Sequence, residues 1–586
     1  MTSAGPTPRR RSRRWFLGAS ATAAGYVVLS CGGGSTSPSP TASTGTTGTQ
    51  TPPAGPTATL GPGVTPTRPP AGPPSLTMTG FVVGDGQFDP HRTQVGTLQG
   101  QQAFVYSRLL SYEDQAANIL RTDLATAMPQ QPDELTYVFK LNPAARWHDV
   151  SPLDGRQVTA EDVVHSFDRQ RLGDRSVFVR QSRWSNIASI DAPDSETVII
   201  TTAEPLAPML NWLADPTAMI VAPEMDASGF SAEPDGQVGS GPFRWLEWTE
   251  GEFASVIRNE EWFGSAPALA GITVLHAENA SEVVADLRVK DLDAAFVGRT
   301  QADAMKEAVP GLVESHVGNA LFFGMRFTTS APPFNDVRVR TALAIAMNRT
   351  EMIDIFFDGS GDRSGWVSWP VSHWALPFSE LSEWPGYRLG SGGRAQDIQD
   401  ARQQMDAYVA DGNERPTTLE LHVEQTSEET FSLGSLIARH VGQALGIEVT
   451  INPLPVEELV GRLLDPRQTL PWVAGPDSGW LDLDDWLYPY FHSAGVQNSF
   501  ALRNEDLDAL IVAQRAQFNP DDRRNLGLDI QRQLLQINAG INLVSERVVA
   551  LSQPYVRAFP LDITDGYQDR FARCWVDVED PSYRKR

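Results

Sequence analysis

The sequence predicts a mixed α/β fold, and three observations support this: the chain length, the composition and the alternation of strand and helix patterns. The 586 residues exceed the ~100–200 residues of an ordinary domain. With 41% hydrophobic and 20% charged residues, the composition is that of a soluble globular protein. Strand and helix patterns interleave from about residue 77 onward. We therefore expect several α/β units.

One strand–helix–strand unit shows the pattern clearly. Apolar and polar residues alternate over residues 419–423 and again over 447–451, as in half-buried strands. Between them, apolar residues recur at helical spacing. A capping box is predicted at Thr426 and Glu429, and Gly446 stands where the helix should end. Such a unit normally gives parallel strands joined by a right-handed crossover.

Similar signals recur elsewhere in the chain. Thr159 and Asp162 have capping-box spacing, Asp336 can cap a helix that opens at residue 337, and Asn348 starts another helix. Shorter strands are predicted at residues 198–202, 255–258 and 272–276.

The first 30 residues are predicted to be an export signal. Arg13 and Arg14 precede 16 uncharged residues, 15–30, which is short of the ~20 residues that a spanning helix needs. A basic segment before a short apolar one is typical of a signal peptide. Residues 12–17 resemble a twin-arginine export motif.

Cys31 ends a run that resembles a lipobox, in which this cysteine would be lipidated. Residues 31–76 would form a tether, because 36 of the 44 residues from 32 to 75 are Gly, Ser, Thr or Pro. The alternative is an uncleaved anchor helix with an incidental cysteine, and the tether argues against it. We therefore predict an exported lipoprotein on the outer face of the cell membrane, in the extracytoplasmic or periplasmic space.

Charge and cysteine content exclude several classes of protein. The net charge is −25, and without the five N-terminal arginines 42 basic and 72 acidic residues leave about −30. This charge disfavours nucleic acid and basic-patch membrane binding. With two cysteines and no local histidine ligand spacing, we expect no metal and no cofactor. Cys574 alternates with apolar neighbours, which predicts a buried free thiol.

The search for chemistry favours binding over catalysis. No G-x-S-x-G nucleophile elbow occurs, so a secreted hydrolase has no catalytic motif and we predict that the chain is not an enzyme. In residues 479–491, Asp482 and Asp485 lie among Trp480 and Trp486. Two interpretations stay open. The segment is either a solvated acidic turn between core aromatics, or a cleft where a carboxylate meets a ligand cation and aromatic faces cover apolar ligand surface.

Several motifs together resemble the extracellular solute-binding proteins of family 5, the peptide- and nickel-type receptors of ABC importers. They follow the family order over about residues 80–560. They include residues 135–141 (LTYVFKL), 158–166 (VTAEDVVHS), 238–243 (VGSGPF), 334–340 (FNDVRVR) and 504–511 (NEDLDALI).

The resemblance implies a two-lobed periplasmic-binding-protein-like fold with a hinge and an extra inserted subdomain. The implied parts are residues 77–115 with 235–318 and 546–586 for a discontinuous lobe I, 116–234 for the inserted subdomain, and 319–545 for lobe II. It also implies a monomeric receptor that closes on a ligand and delivers it to an ABC permease. Peptide is the leading ligand, and an oligosaccharide or another solute is the alternative.

The family's peptide receptors hold the peptide α-ammonium with an aspartate in a "GW..DY.DP" segment. Here Asp482 and Asp485 keep the three-residue spacing but lie one residue closer to the Gly-Trp pair. Leu483 and Trp486 replace the tyrosine and the proline. The resemblance implies Asp482 as the first candidate partner and Asp485 as the reserve, with Trp480 and Trp486 beside them.

Overall fold

The computed structural model describes residues 74–583, except 94, 176, 179, 278, 426, 465–469 and 478. The predicted export signal, Cys31 and nearly all of the tether lie outside these residues. The described chain is mixed α/β, as the sequence predicts. None of its described helices is long and apolar enough to cross a membrane.

The strands are numbered here in chain order: β1 Leu76–Thr79, β2 Leu110–Asp114, β3 Ile119–Thr122, β4 Thr136–Lys140, β5 Ile187–Asp194, β6 Thr197–Thr202, β7 Phe243–Thr249, β8 Phe253–Arg258, β9 Gly271–Leu275, β10 Ala294–Val297, β11 Val313–Gly318, β12 Phe322–Phe327, β13 Gly361–Arg363, β14 Thr418–Glu424, β15 Glu448–Leu454, β16 Trp472–Asp477, β17 Gly540–Ser552, β18 Val556–Arg557 and β19 Trp575–Val576.

The α-helices are α1 Gly96–Gln102, α2 Ala160–Arg171, α3 Gln181–Trp184, α4 Met209–Trp212, α5 Pro223–Ser228, α6 Ala280–Val289, α7 Arg299–Ala308, α8 Val337–Ala346, α9 Arg349–Phe357, α10 Phe378–Leu381, α11 Gly390–Ala410, α12 Glu428–Leu445, α13 Val456–Leu464, α14 Leu483–Phe491, α15 Glu505–Arg515 and α16 Pro520–Ile537. Three short 3₁₀ turns span Pro216–Ala218, Pro234–Gly236 and Gln568–Arg573.

One strand, β17, runs through both halves of the main twelve-stranded sheet. Its residues 540–546 pair antiparallel with β12 and β13. Its residues 547–552 pair antiparallel with β10 and β11. Beyond β12 the sheet continues through β16, β14 and β15, and beyond β10 through β1, β9, β8 and β7. A separate three-stranded sheet, β4-β6-β5, lies in the segment between residues 116 and 234.

The predicted strand–helix–strand unit is confirmed, because β14 and β15 pair in parallel on either side of α12 in the chain. The helix ends at Gly446, which has φ 70° in the left-handed region. Its N-cap is Ser427, whose hydroxyl accepts the Thr430 N–H at 3.1 Å. The cap thus falls one residue after the predicted Thr426, which lies outside the described residues.

The other predicted caps are confirmed. The Thr159 N–H donates to the Asp162 carboxylate at 2.9 Å before α2. The Asp336 carboxylate accepts the Arg338 N–H at 2.8 Å before α8, and the Asn348 side chain caps α9. Each side chain satisfies a backbone donor that the first turn leaves without an intrahelical acceptor.

The largest core cluster packs helices α14–α16 against the segment that carries the three-stranded sheet. Trp147 and Trp184 of that segment share the cluster with Trp374, Leu487 and Leu534 from the later part of the chain. A second cluster fills the space between β12, β14, β16 and helices α8 and α12, and a third surrounds β1, β8 and β9. The third contains Cys574, which is 0% exposed and free, so the predicted buried thiol is confirmed.

Candidate functional site

A cavity of about 110 Å³ lies where β12, β16 and β17 meet the start of α14. Its walls are largely aromatic, with a few charged side chains at intervals. The lining residues most relevant to binding are Phe322, Arg326, Asp477, Trp480, Trp486 and Tyr490. Apolar walls with a few placed polar groups are typical of small-molecule sites, but those sites enclose ~300–1,000 Å³, so in this arrangement the cavity accommodates only part of a ligand.

The structure places two of the predicted site residues, Trp480 and Trp486, in the cavity wall. The Trp486 indole N–H donates to the Trp480 carbonyl at 2.8 Å. The Trp486 ring stacks on Phe322 with a centroid distance of 5.5 Å. These contacts fix both indoles relative to the sheet.

The other two predicted residues, Asp482 and Asp485, lie behind the wall and face arginines. Asp482 is the N-cap of α14, and its carboxylate accepts the Asp484 N–H at 2.8 Å. Arg523 donates to both Asp482 oxygens, at 2.7 and 2.9 Å. Arg183 donates to Asp485 at 2.7 Å. Both carboxylates are therefore engaged by guanidinium groups of the protein itself.

The third aspartate of the segment, Asp484, is held in the same way. Gln514 donates to its carboxylate at 2.6 Å, and the Arg515 Nε lies 3.2 Å from the same oxygen. Burial raises the pKa of Asp484. Burial also raises the pKa of Asp485, to about 6, although Arg183 opposes this. The segment is thus a buried charge network rather than a solvated turn, because Asp482, Asp484 and Asp485 are all buried.

A single ion-pair network joins this segment to the earlier part of the chain. Arg183 lies 2.9 Å from Asp215, in addition to its contact with Asp485. Burial alone would raise the pKa of Asp215, but Arg183 and Arg180 outweigh it and lower the pKa to about 2. The network connects residues 183 and 215 with the N-terminal turn of α14.

Two cations contact the aromatic wall of the cavity, and one of them, Arg326, lines it. The Arg180 guanidinium carbon lies 3.9 Å from the centroid of the Trp480 ring. Arg326 of β12 pairs with Asp477 and lies over the Tyr490 ring at 5.5 Å. Sequence reasoning missed both arginines, since neither belongs to a motif and each reaches the site only through the fold.

A metal site would need several His, Cys, Asp or Glu side chains close together. Between residues 74 and 583, outside the gaps given above, no group of three or more His, Cys, Asp or Glu side chains is arranged to hold a metal ion.

Comparison with known families decides which kind of protein carries this site. The family model described as "Bacterial extracellular solute-binding proteins, family 5 Middle" matches residues 120–498. The chain belongs to this family. As a family 5 solute-binding protein it is not an enzyme, which agrees with the prediction from sequence.

A curated relative from Brucella ovis carries the provisional name ABC transporter peptide-binding protein. It is 28% identical over 299 residues, which cover 48% of this chain and 53% of the relative. The alignment therefore spans about half the length of the curated relatives that this family 5 protein matches.

Solved structures confirm the two-lobed periplasmic-binding-protein fold. A Helicobacter pylori periplasmic binding protein, in complex with the peptide STSA, has a TM-score of 0.67 at 18% identity, covering 86% of this chain and 98% of that one. A binding protein from A. tumefaciens in complex with agropinic acid has a TM-score of 0.65 at 19% identity, with 86% and 98% coverage.

Proposed function

We propose that this family 5 protein is an extracytoplasmic receptor that captures a solute, most directly a peptide, and delivers it to an ABC importer. The observation that carries the proposal is the family match over residues 120–498, which includes most of the cavity wall. The name of the Brucella ovis relative and the peptide bound to the Helicobacter pylori protein support a peptide ligand.

We propose further that the receptor works by lobe closure about β17. The boundary expected between residues 545 and 546 falls inside this strand, one residue before its partners change from β12 and β13 to β10 and β11. The boundary expected between 318 and 319 falls between β11 and β12. Lobe I would comprise residues 77–115, 235–318 and 546–586, lobe II 319–545, and the inserted subdomain 116–234. A ligand that contacts both lobes favours the closed arrangement by its differential affinity.

In this proposal the receptor is a monomer that the lipid on Cys31 holds at the membrane. Export would proceed through the signal that contains Arg13 and Arg14. The Gly-, Ser-, Thr- and Pro-rich residues 31–76 would act as a solvated tether between the lipid and the folded body. One cysteine carrying two acyl chains supplies stable anchoring.

Within the cavity, Trp480 and Trp486 would cover apolar surface of the ligand. A ligand ammonium would meet Asp482 only by sharing an oxygen that Arg523 already contacts, because Arg523 donates to both. At Asp485 it would compete with Arg183, which donates to one oxygen. The family spacing keeps Asp482 as the first candidate for such a shared contact and Asp485 as the second.

A second candidate is a receptor for a non-peptide solute, such as an oligosaccharide or a small organic acid. The observation that favours it is the engagement of both aspartates by arginines, which removes the need for a ligand cation at this place. The agropinic acid complex of the A. tumefaciens protein shows that this fold is compatible with a non-peptide ligand.

The decisive experiment identifies the ligand directly. The protein is purified from its native host without denaturation, and the small molecules that it releases on unfolding are analysed by mass spectrometry. We expect peptides, and their synthetic copies should bind the emptied receptor in calorimetric titrations. The Trp480→Ala variant should bind them more weakly. Recovery of a sugar or another non-peptide solute alone would refute the peptide assignment and leave the second candidate.

A further inference from the structure

Arg180 lies on the ring of Trp480, which lines the cavity, and it has no ion-pair partner among the residues that the structure describes. The two nearby carboxylates, Asp215 and Asp485, form ion pairs with Arg183 instead, at 2.9 and 2.7 Å. Burial and Arg183 together lower the pKa of Arg180, although Asp215 and Asp485 act in the opposite direction. The positive charge of Arg180 is therefore compensated only in part.

Two buried N–H groups at this place also lack an acceptor among the described residues. They are the Nε of Arg180 and the Nε1 of Trp480. A buried donor without an acceptor is costly, so each such group in a native structure requires an explanation. Both belong to the one stacked pair, in which the guanidinium carbon lies 3.9 Å from the ring centroid.

Stacking on Trp480 does not satisfy Arg180. A cation–π contact uses the face of the guanidinium, whereas its N–H groups lie in the plane and point away from its edges. A planar anion such as a carboxylate accepts two parallel N–H bonds from such an edge. The missing partner is thus an oxyanion, and Trp480 lines the cavity into which a ligand would bring it.

We propose that Arg180 and the indole N–H of Trp480 bind an anionic oxygen group of the ligand, which in a peptide is a carboxylate. This rests on the proposed function, since it assumes that the cavity holds a captured solute. It narrows the ligand class to solutes that carry an acidic group. In this proposal a ligand carboxylate contributes more to the binding affinity than a ligand ammonium does.

The test compares three equimolar pools of Ala-Xaa-Ala tripeptides: free acids, C-terminal amides and N-acetylated acids. Each is titrated calorimetrically into the emptied wild-type protein, Arg180→Gln, Trp480→Phe and the control Arg175→Gln. Arg175 is an exposed arginine five residues away and has no ion pair among the described residues. Trp480→Phe keeps an aromatic face but removes one N–H donor.

We expect wild type and Arg175→Gln to bind the free acids at least about tenfold more tightly than the amides, which corresponds to 1.4 kcal/mol. Arg180→Gln should bind both pools equally, and Trp480→Phe should keep part of the preference. N-acetylation should cost little. Equal binding of acids and amides by wild type, or an unchanged preference in Arg180→Gln, would overturn the proposal while leaving a peptide receptor intact.

A second arm separates this inference from the peptide assignment. If no tripeptide pool binds, the peptide assignment fails, and thermal-shift measurements then compare organic acids and sugar acids with their neutral methyl esters. We expect the acids to stabilise wild type and not Arg180→Gln. Equal effects of acids and esters, or no stabilisation by any acid, overturn the inference. If Arg180→Gln fails to fold, Arg180→Lys replaces it and should show a reduced preference, because lysine keeps the charge but loses the planar fork.

Discussion

Replacing Asp482 by Asn separates the structural role of this residue from any role in ligand binding. Asp482 is 2% exposed, and Arg523 donates to its two carboxylate oxygens at 2.7 and 2.9 Å. Asn has nearly the same volume and is an equally good N-cap, so the bond to the Asp484 N–H can persist. The substitution therefore removes one negative charge and little else.

The expected effect is a large loss of folding free energy. Removing one partner of a buried ion pair strands the other charge, which costs about 3–5 kcal/mol. The side chain of Arg523 is 5% exposed, so solvent cannot replace the missing carboxylate. The remaining contact of its Nε with Gln514, at 3.2 Å, offers a neutral acceptor only. Changing both partners to apolar residues, Asp482→Leu with Arg523→Met, should recover much of this loss.

The assay is urea unfolding followed by tryptophan fluorescence, on protein freed of ligand. The matched control is Asp529→Asn. It breaks an ion pair on α16, the helix that also carries Arg523. That pair, Asp529–Arg532, has side chains that are 61% and 37% exposed, and such surface pairs contribute about 0–1 kcal/mol. If Asp482→Asn loses no more free energy of unfolding than this control does, then the Asp482–Arg523 pair is not the structural element that its geometry indicates.

Four further predictions follow from other parts of the chain. Cys31→Ser should move the mature protein from the membrane to the soluble fraction, and persistence in washed membranes would contradict lipidation. Ligand should reduce the radius of gyration measured by X-ray scattering, whereas an unchanged radius at saturation would indicate a rigid site. Cys574, whose pKa burial raises to about 12, should resist alkylation at pH 8 until the protein unfolds. Burial raises the pKa of Glu546 from 4.5 to about 7, so the folded state retains a proton that the unfolded state has lost, and stability should fall as pH rises from about 5 to 7. Glu546→Gln should flatten this slope and add about 1–3 kcal/mol at pH 8 in urea unfolding.

Local patterns in the sequence were sufficient for much of the fold. Alternation and helical spacing gave β14, α12 and β15, because each of these elements buries one face and its periodicity shows which. The capping pair Thr159–Asp162 could also be predicted from the sequence, because both residues lie within one helical turn. The pairing of β17 with two different sets of strands could not be predicted from the sequence. Its partner strands lie more than 150 residues away in the chain, and no local pattern specifies them.

The candidate site could likewise be predicted from the sequence only in part. The aromatic and acidic composition of residues 479–491 is visible in the sequence, and the structure brings Trp480 and Trp486 to the cavity wall. The partners that decide the charge state are distant: Arg523 lies 41 residues from Asp482, and Arg183 lies 302 residues from Asp485. A motif that shows the aspartates without their arginines suggests free carboxylates, and only the fold shows that they are engaged.

These contacts suggest how residues 116–234 would contribute to ligand capture. Arg183, from residues 116–234, holds Asp485 from residues 319–545, so this ion pair joins two of the proposed parts of the receptor. Arg180 reaches across at the same place and lies on Trp480. An anion bound by Arg180 and the Trp480 N–H would add a bond to each of these two segments at once, so this part of its affinity would depend on the arrangement in which they are in contact. By linkage, the difference in affinity between that arrangement and an open one is the free energy by which the ligand favours closure. Arg180→Gln should therefore reduce ligand-induced compaction as well as the preference for acids.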